Sequence, residues 1–513
     1  MNDKYLIGVD LGTSSTKAAL FHINGSIKAI ASTDVPIYYP EPGVVEQDSE
    51  DFYRTAAKTV QSCITESGVN PRDILAISFD SQMAGVGTID EHFESVSKFD
   101  SWLDMRCEPQ IKFLENNFGD MITKVTGCPP TCDHGPKIMW LKEEHPETYQ
   151  KTAKFIMPGG YVAGKMAGLN SNQAFIDYTY IHFSALSNAL EGSWSREICD
   201  AAGVDMDRLP KIVDPWEVIG EVTEIAARDF GLAPGTIIAA GCGDTAAGAL
   251  GAGIVKPGMI FDTAGTASVL AGCTDQYAPD INNRALLTMR SVIPGLWHPL
   301  AYIAGGGQAL NWFRDQIFNV LRGEQKNDKI LYDELSRFAQ KAPLGADNLY
   351  FSPHLSGRIC PSTPEMRGAW VGFSFSHTQA HFYRAILESI AYEYAYYLRS
   401  LTDLIPDLNL TEARVIGGGA QSQFWNQIKA DVLGVPFNRL SFSEFGIWGS
   451  AMIAGKAAGV YTDLAEIAYQ HAVPAENPVY PDPERYAQYQ KHVKHYIELQ
   501  NTLAKTFISF SLD

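Results

Sequence analysis

Positive charge, long apolar runs and paired cysteines are what this chain has least of. Lys and Arg total 40 against 59 Asp and Glu, a formal net charge of −19 over 513 residues. Binding of the whole chain to nucleic acid or to an anionic membrane needs clustered cations, so this balance argues against both. No run of about 18 or more apolar residues occurs, and no membrane-crossing helix is expected. The opening Met1-Asn-Asp-Lys leads straight into an apolar stretch, without a basic region and a cleavable apolar core, so a cytoplasmic location is expected. The eight cysteines are scattered and none forms a Cys-x-x-Cys pair. Cys128, Cys132 and His134 are the one local cluster, and it lacks the second ligand pair of a zinc site, so reduced thiols are expected. The Walker pattern Gly-x-x-x-x-Gly-Lys-[Ser/Thr] is missing as well.

What is there is an ordinary globular composition, 45% hydrophobic and 19% charged, with length for roughly two to four domains. The most telling stretch is residues 5–21. An apolar run ends in Asp10, then Gly12, Thr13, Ser14 and Ser15 follow, then Lys17 and a second apolar run. The pattern reads as strand, tight turn, strand. Gly12 lets the backbone approach a phosphate. The hydroxyls and N–H groups donate to its oxygens, and Asp10 is placed to hold Mg²⁺ or its water. A Gly-Thr-Ser hairpin with no ligand is the alternative.

The motif returns. Residues 258–270 again hold an apolar run, an acid (Asp262), Gly265-Thr266 and a second apolar run. Two such hairpins about 250 residues apart point to an internal duplication. Just before the second, residues 234–253 read as turn, buried strand, glycine-rich turn and helix, with Asp244 where strand passes into helix. Glycine clusters at residues 304–308 and 416–420 each precede a helix-like segment. Glycine-opened helix starts suit anions and leave room for a flat purine, and close packing explains them equally. Residues 382–401 read as a long core helix, and residues 486–507 as a terminal helix docked on the surface.

Taken in order, the motifs resemble those of the FGGY carbohydrate kinases along nearly the whole chain. Asp10-Leu-Gly-Thr-Ser-Ser-Thr-Lys17 comes first, then Gln82-Met-Ala-Gly85, Trp102-Leu-Asp-Met-Arg106 and Lys137-Ile-Met-Trp140. Gly243-Asp-Thr-Ala-Ala-Gly248 and Gly265-Thr266 follow. Phe351-Ser-Pro-His-Leu-Ser-Gly357, Gly368-Ala-Trp-Val-Gly-Phe373, Ala385-Ile-Leu-Glu388 and Gly417-Gly-Gly-Ala420 complete the series. Within the family the chain is most similar to the xylulose kinase branch of the pentulose kinases. The resemblance implies an α/β, two-lobed actin-like ATPase (ribonuclease-H-like) fold of duplicated domains with mixed sheets. It implies ATP and sugar in the cleft between lobes, with closure that excludes water. Residues 1–251 would be the sugar- and phosphate-binding domain, 252–470 the nucleotide-binding domain and 471–513 a helical extension. The implied activity is Mg²⁺- and ATP-dependent phosphorylation of a sugar or polyol hydroxyl, first of all xylulose to xylulose 5-phosphate. ATP and a small sugar are the implied partners, and homodimers occur among such kinases.

By the same resemblance Asp244 is the catalytic base, the acceptor a sugar hydroxyl needs for its proton. At a helix start it is equally an N-cap residue. Asp10, with Asp244, is the carboxylate on the Mg²⁺ side. Gly12, Thr13, Ser14, Ser15 and Lys17 surround the transferred phosphoryl group, whose charge spreads over its equatorial oxygens in the transition state. A lone Lys17 is also at home in solvent. Gly265 and Thr266 contact the β- or γ-phosphate, and Gly307, Asn311, Gly418, Gly419 and Gln423 line the adenosine. Gln82, Met83, Ala84, Trp102, Asp104, Arg106, Asp244 and Thr245 read the sugar, Trp102 over a C–H face and Asp104 and Arg106 by paired hydrogen bonds. Core packing of Trp102 and a structural Asp104–Arg106 ion pair are the plainer readings.

Three places depart from the branch, one of them Arg358-Ile-Cys-Pro361 where Glu-Arg-x-Pro is usual, and two of them near the sugar. Ala84 stands where Gln-Met-His-Gly has its His, and Leu103 where Trp-Asn-Asp-x-Arg has its Asn. Losing two polar groups changes what a pocket rejects, so another ketose, a polyol or a small hydroxylated signal molecule is the alternative acceptor. An actin-like ATPase or binding module is the alternative of a different class. A sugar pocket around Asp244, Trp102 and Asp104 is what separates the two.

Overall fold

The apolar run near the start of the chain forms the strand Tyr5–Leu11, in which Leu6, Ile7, Val9 and Leu11 are fully buried. A strand covered on both faces reads as continuous apolar sequence rather than alternation. It pairs antiparallel with Ser15–His22, which pairs in turn with Ile27–Asp34. On its other edge it runs parallel to Ile74–Ser81, and Ile237–Ala239 and Cys242–Gly243 lie parallel to that strand.

The computed structural model describes residues 3–265, 267–317, 328–475 and 477–510. They fall into two units. The first is Met1–Val255, Thr288–Trp297 and Glu444–Ala472, and the second is Lys256–Leu287, His298–Ser443 and Val473–Asp513. The helix Phe445–Ala457 therefore packs in the first unit. It lies so close on Tyr5–Leu11 that a Cβ on Gly8 would stand 1.9 Å from Ile447 O. It crosses the helix Asp244–Gly251 equally closely, since a Cβ on Gly449 would stand 2.1 Å from Ala247 O. Only glycine lets these backbones touch.

The second unit repeats the sheet. Met259–Ala264 and Ser268–Gly272 form a hairpin, Trp297–Ile303 pairs with its outer strand, and Glu412–Ile416 and then Phe437–Arg439 run parallel on the other side. This is the duplication with mixed sheets expected from the echoed motif. The helix Gln379–Leu404 is the buried spine of the unit. On it Glu393 pairs with Arg358 at 2.6 Å and accepts from Tyr496 at 2.9 Å, while Glu388 pairs with Arg384 at 2.7 Å and accepts from Tyr489 at 2.8 Å. Burial alone would raise the Glu393 carboxyl, and the Arg358 guanidinium overrides it and holds the group at about 2. Both tyrosines come from the terminal helix Pro483–Phe510, which charge-assisted hydrogen bonds thus tie to the spine. Among the described residues, no helix is long and apolar enough to cross a membrane.

Asp262, the counterpart of Asp10 in the second hairpin, is fully buried, paired with Lys429 and accepts from Tyr394 Oη at 2.8 Å. Lys429→Met strands that carboxylate without its cation. It should cost about 3–5 kcal/mol, read as a lower midpoint in urea denaturation, and adding Asp262→Asn should recover most of the loss.

Candidate active site

Adjacent strand ends in the first unit gather carboxylates. In the sheet register Asp10 stands opposite Asp80, and Asp80 opposite Cys242, two residues before Asp244. Asp80 is fully buried, and its Oδ2 accepts from Ser450 Oγ at 2.6 Å. Its Oδ1 has no hydrogen-bond partner among the described residues. Burial raises the Asp10 carboxyl to about 7. Asp244 and Glu444 push the same way, and Asp80 and Lys17 oppose them. Burial and the nearby Asp10 charge push Asp80 well above the ordinary carboxylate range. Burial brings Asp244 to about 6, against the pull of Thr245, whose N–H donates to Oδ1 at 2.5 Å and Oγ1 at 3.1 Å. Asp244 opens its helix directly after Gly243, where the helix end favours an anion. No three acidic, histidine or cysteine side chains among the described residues form a ready-made metal cage. Hard carboxylate oxygens without a full cage are what Mg²⁺ takes when phosphates and water complete its shell.

The turn after Tyr5–Leu11 closes through the Gly12 N–H donating to Ser15 O at 3.1 Å. A Cβ on Gly12 would lie 3.0 Å from Ser15 O and 3.6 Å from Asp10 Oδ1, so glycine keeps the approach to Asp10 open. Ser14 and Lys17 are exposed, and Thr13 and Ser15 half-buried. Lys17 stands opposite Asp10 in the hairpin register. Thr13 Oγ1 accepts from Trp102 Nε1 at 2.9 Å, and Thr13 O from Gln47 Nε2 at 2.9 Å. Gln82 Nε2 donates to Gln47 Oε1 at 2.9 Å. The predicted phosphate turn and two predicted sugar residues are thus one hydrogen-bonded assembly, joined through Gln47, which sequence reasoning missed.

Met83 packs against Gly243, where a Cβ would meet Met83 Cε at 2.6 Å, and its carbonyl lies 3.2 Å from His134 Nε2. Burial lowers His134 to about 4, so the ring is neutral and donates. Ala84 and Thr245 are half-buried. Trp102 is 39% exposed, so it is not part of the core. Asp104 is fully buried and accepts from Val45 N at 2.7 Å and from Arg106 N and Nε at 2.9 and 3.0 Å. Arg106 also pairs with Glu46 at 3.0 Å and lies 4.4 Å over the Trp140 ring. The geometry of Asp104 and Arg106 is that of the structural ion pair, clamping the loop that presents Trp102.

In the second unit a cavity of about 480 Å³ brings together Gly265, Gly307, Asn311, Gly418 and Gly419. Gln423 is not among its lining residues, and Gln421 and Ser422 take that place. Thr266 lies outside the described residues. Gly417 has φ +86°, and a Cβ on it would stand 2.8 Å from Ala264 O and 3.3 Å from Gly265 N, so two glycine turns touch. Leu310, Tyr383, Leu387 and Trp425 add buried apolar lining. Glycine turns together with apolar and aromatic side chains suit a purine nucleotide.

The N-terminal domain of the FGGY family of carbohydrate kinases matches residues 5–251, and the C-terminal domain of that family matches residues 262–458. This chain belongs to the FGGY family of carbohydrate kinases. It is an ATP-dependent phosphotransferase with an alcohol group as acceptor. The kinase is 28% identical over 514 residues to the xylulose kinase of Bacillus subtilis (strain 168), covering 98% of this chain and 99% of that protein. It is 30% identical over 433 residues to the gluconokinase of the same strain, covering 83% and 82%. The crystal structure of gluconate kinase from Lactobacillus acidophilus matches it with a TM-score of 0.91 at 25% identity, over 99% of this chain and 100% of that one. The kinase therefore has the two-domain, actin-like α/β fold.

Carboxyls held above their unfolded values bind protons more tightly in the folded chain, so they add stability at low pH that is lost as pH rises through the folded values. For Asp244 and Asp10 that loss falls at about 6 to 7. Melting of the nucleotide-free kinase should therefore decline from about pH 5.5 to pH 8. Asp80→Asn should flatten the decline and raise the melting temperature at the upper end by roughly 2–4 °C. An unchanged slope would remove Asp80 from the cluster.

Proposed function

We propose that this kinase transfers the γ-phosphoryl group of ATP to a hydroxyl of xylulose, giving xylulose 5-phosphate and ADP. The observation that carries a neutral acceptor is the state of the cations around the Trp102 loop. Arg106 is held by Asp104 and Glu46, and the fully buried Lys137 by Asp100 at 2.8 Å. An acceptor with its own carboxylate would join Asp10, Asp80 and Asp244 and find these cations engaged, whereas a neutral ketose pays no such electrostatic penalty. The relative named xylulose kinase supports the same choice. Gluconate is the second reading, favoured by the 30% identical gluconokinase.

The cavity of the second unit takes the adenosine, with Gly265 toward the phosphates. In the first unit the N–H groups and hydroxyls of residues 12–15, with Lys17, donate to the oxygens of the transferred group, where charge builds up. Asp10 and Asp244 are the residues to hold Mg²⁺, which supplies charge neutralisation on the phosphate oxygens. Asp244 takes the proton of the attacking hydroxyl as the new O–P bond forms. A carboxyl at about 6 is ionised at neutral pH, and Thr245 occupies Oδ1, which leaves Oδ2 for the proton. Gln82 Oε1, buried without a donor, accepts from a sugar hydroxyl. Trp102 covers a C–H face, and Met83, Ala84 and Thr245 shape the remaining wall.

Asp244→Asn should lower turnover by about 10²–10⁴-fold while calorimetry still records ATP binding; a near-normal rate would place the base elsewhere. A coupled ADP-release screen over pentuloses, hexuloses, polyols and aldonates should give xylulose the highest kcat/KM. Gluconate in first place would install the second reading. In Ala84→His the acceptor profile should change, and an identical profile would take position 84 out of the specificity set.

A further inference from the structure

The nucleotide cavity of the second unit has one lining group that phosphate and base recognition leave unused. Asp333, on the helix Asp328–Ala339, lines the cavity, is exposed, and its carboxylate makes no ion pair or hydrogen bond among the described residues. A free carboxylate is a poor neighbour for a triphosphate, because like charges repel. A nucleotide in this cavity therefore seats with its phosphates turned away from Asp333. The buried apolar side chains of Leu310, Tyr383, Leu387 and Trp425 receive a flat base. Ser336, one turn on from Asp333 on the same helix face, has its Oγ 3.3 Å from Ser422 Oγ. Ser422 caps the helix Gln423–Leu433, which follows the Gly417–Gly419 turn. Asp333 is thus set on an exposed rim, on the helix that flanks this glycine turn.

We propose that Asp333 binds the ribose of the nucleotide, its carboxylate accepting hydrogen bonds from the 2′- and 3′-hydroxyls. An ionised carboxylate only accepts, and it accepts best from two donors side by side. The ribose diol offers that pair. The phosphates offer none, and adenine offers one amino group. Asp333 is then a specificity residue that favours ribonucleotides over deoxyribonucleotides. The inference rests on the reading of this cavity as the ATP site.

The test uses the full chain and calorimetric titration with ATP, 2′-deoxy-ATP, 3′-deoxy-ATP and GTP, together with KM and kcat for each. The unsubstituted kinase should bind ATP about 10- to 100-fold more tightly than either deoxy analogue, the range for hydrogen bonds to a charged group. Asp333→Ala should weaken ATP most and each deoxy analogue, which keeps one hydroxyl, less, so that the preference for ATP over them is lost, and it should move KM rather than kcat. Because the Asp333 carboxylate makes no internal bond among the described residues, the variant should melt with the parent chain. Asp333→Glu, which keeps the acceptor, should retain part of the preference. Equal weakening of ATP and its deoxy analogues in Asp333→Ala would overturn the proposal, as would a change confined to the ATP-to-GTP ratio, which would place the carboxylate at the base. Failure of the unsubstituted kinase to bind any of the four would instead overturn the ATP-site reading.

Discussion

Carboxylates crowded at neighbouring strand ends repel one another, and the first unit is arranged around that repulsion. Asp10 and Asp80 face each other across a parallel register, with Asp244 two residues beyond the next strand partner. Crowded together around the buried Asp80, such groups do not all ionise readily. The structure relieves the strain locally: Ser450 donates to Asp80, Thr245 to Asp244, and Lys17 stands opposite Asp10. Ser450 arrives only because Gly8, Gly251 and Gly449 let two helices and a strand pack backbone to backbone. The glycine contacts and the electrostatics are therefore one design. The residual repulsion is what a divalent cation with its phosphates is suited to remove.

The two hairpins began as the same pattern and do different chemistry. In the first, Asp10 remains among other carboxylates beside an open glycine turn. In the second, Asp262 is neutralised by Lys429 and Tyr394 in the core. The register explains the divergence in part: Asp10 is paired with Lys17, whereas Asp262 is paired with Leu270 and looks to a helix for its cation. The second unit gives its binding capacity to glycines instead, with Gly265 and Gly417 in contact and a purine-sized cavity beyond them.

What could be read from the chain was local. The Asp10 turn, its echo, Asp244 at a strand–helix junction and the glycine clusters are contiguous patterns, and each falls where the pattern put it. The duplicated mixed sheets follow from the two hairpins. What stayed hidden depends on distant partners. Asp80 ends an apolar strand, an acid in the same position as Asp10 in its own strand, and that signal was available. Its partner Ser450 lies 370 residues away, on a helix that local pattern assigns to the other half. Gln47 carries no motif at all, and only its hydrogen bonds to the turn and to Gln82 reveal it. Asp104 and Arg106 show the opposite failure, since a two-residue spacing cannot say whether a charged pair faces a ligand or closes on itself. Tyr332, Asp333 and Ser336 line the nucleotide cavity through the face of a helix whose sequence carries no binding motif.

The residues proposed for acceptor recognition and those proposed for phosphoryl handling are hydrogen-bonded to one another in the first unit. Trp102 donates to the Thr13 hydroxyl, and Gln82 reaches the Thr13 carbonyl through Gln47. Two of the residues offered to the sugar thus hold the turn offered to the phosphate from both its side chain and its backbone. Asp104 and Arg106 hold the Trp102 loop in turn, so this pair also fixes where the turn sits. Donors that stabilise a transition state must already be in place when charge develops. A turn braced through the sugar-reading residues meets that demand best when those residues are themselves ordered by a ligand. On the proposed reading, sugar occupancy raises the order of the phosphate turn, and the same three hydrogen bonds favour phosphoryl transfer to a sugar over transfer to water.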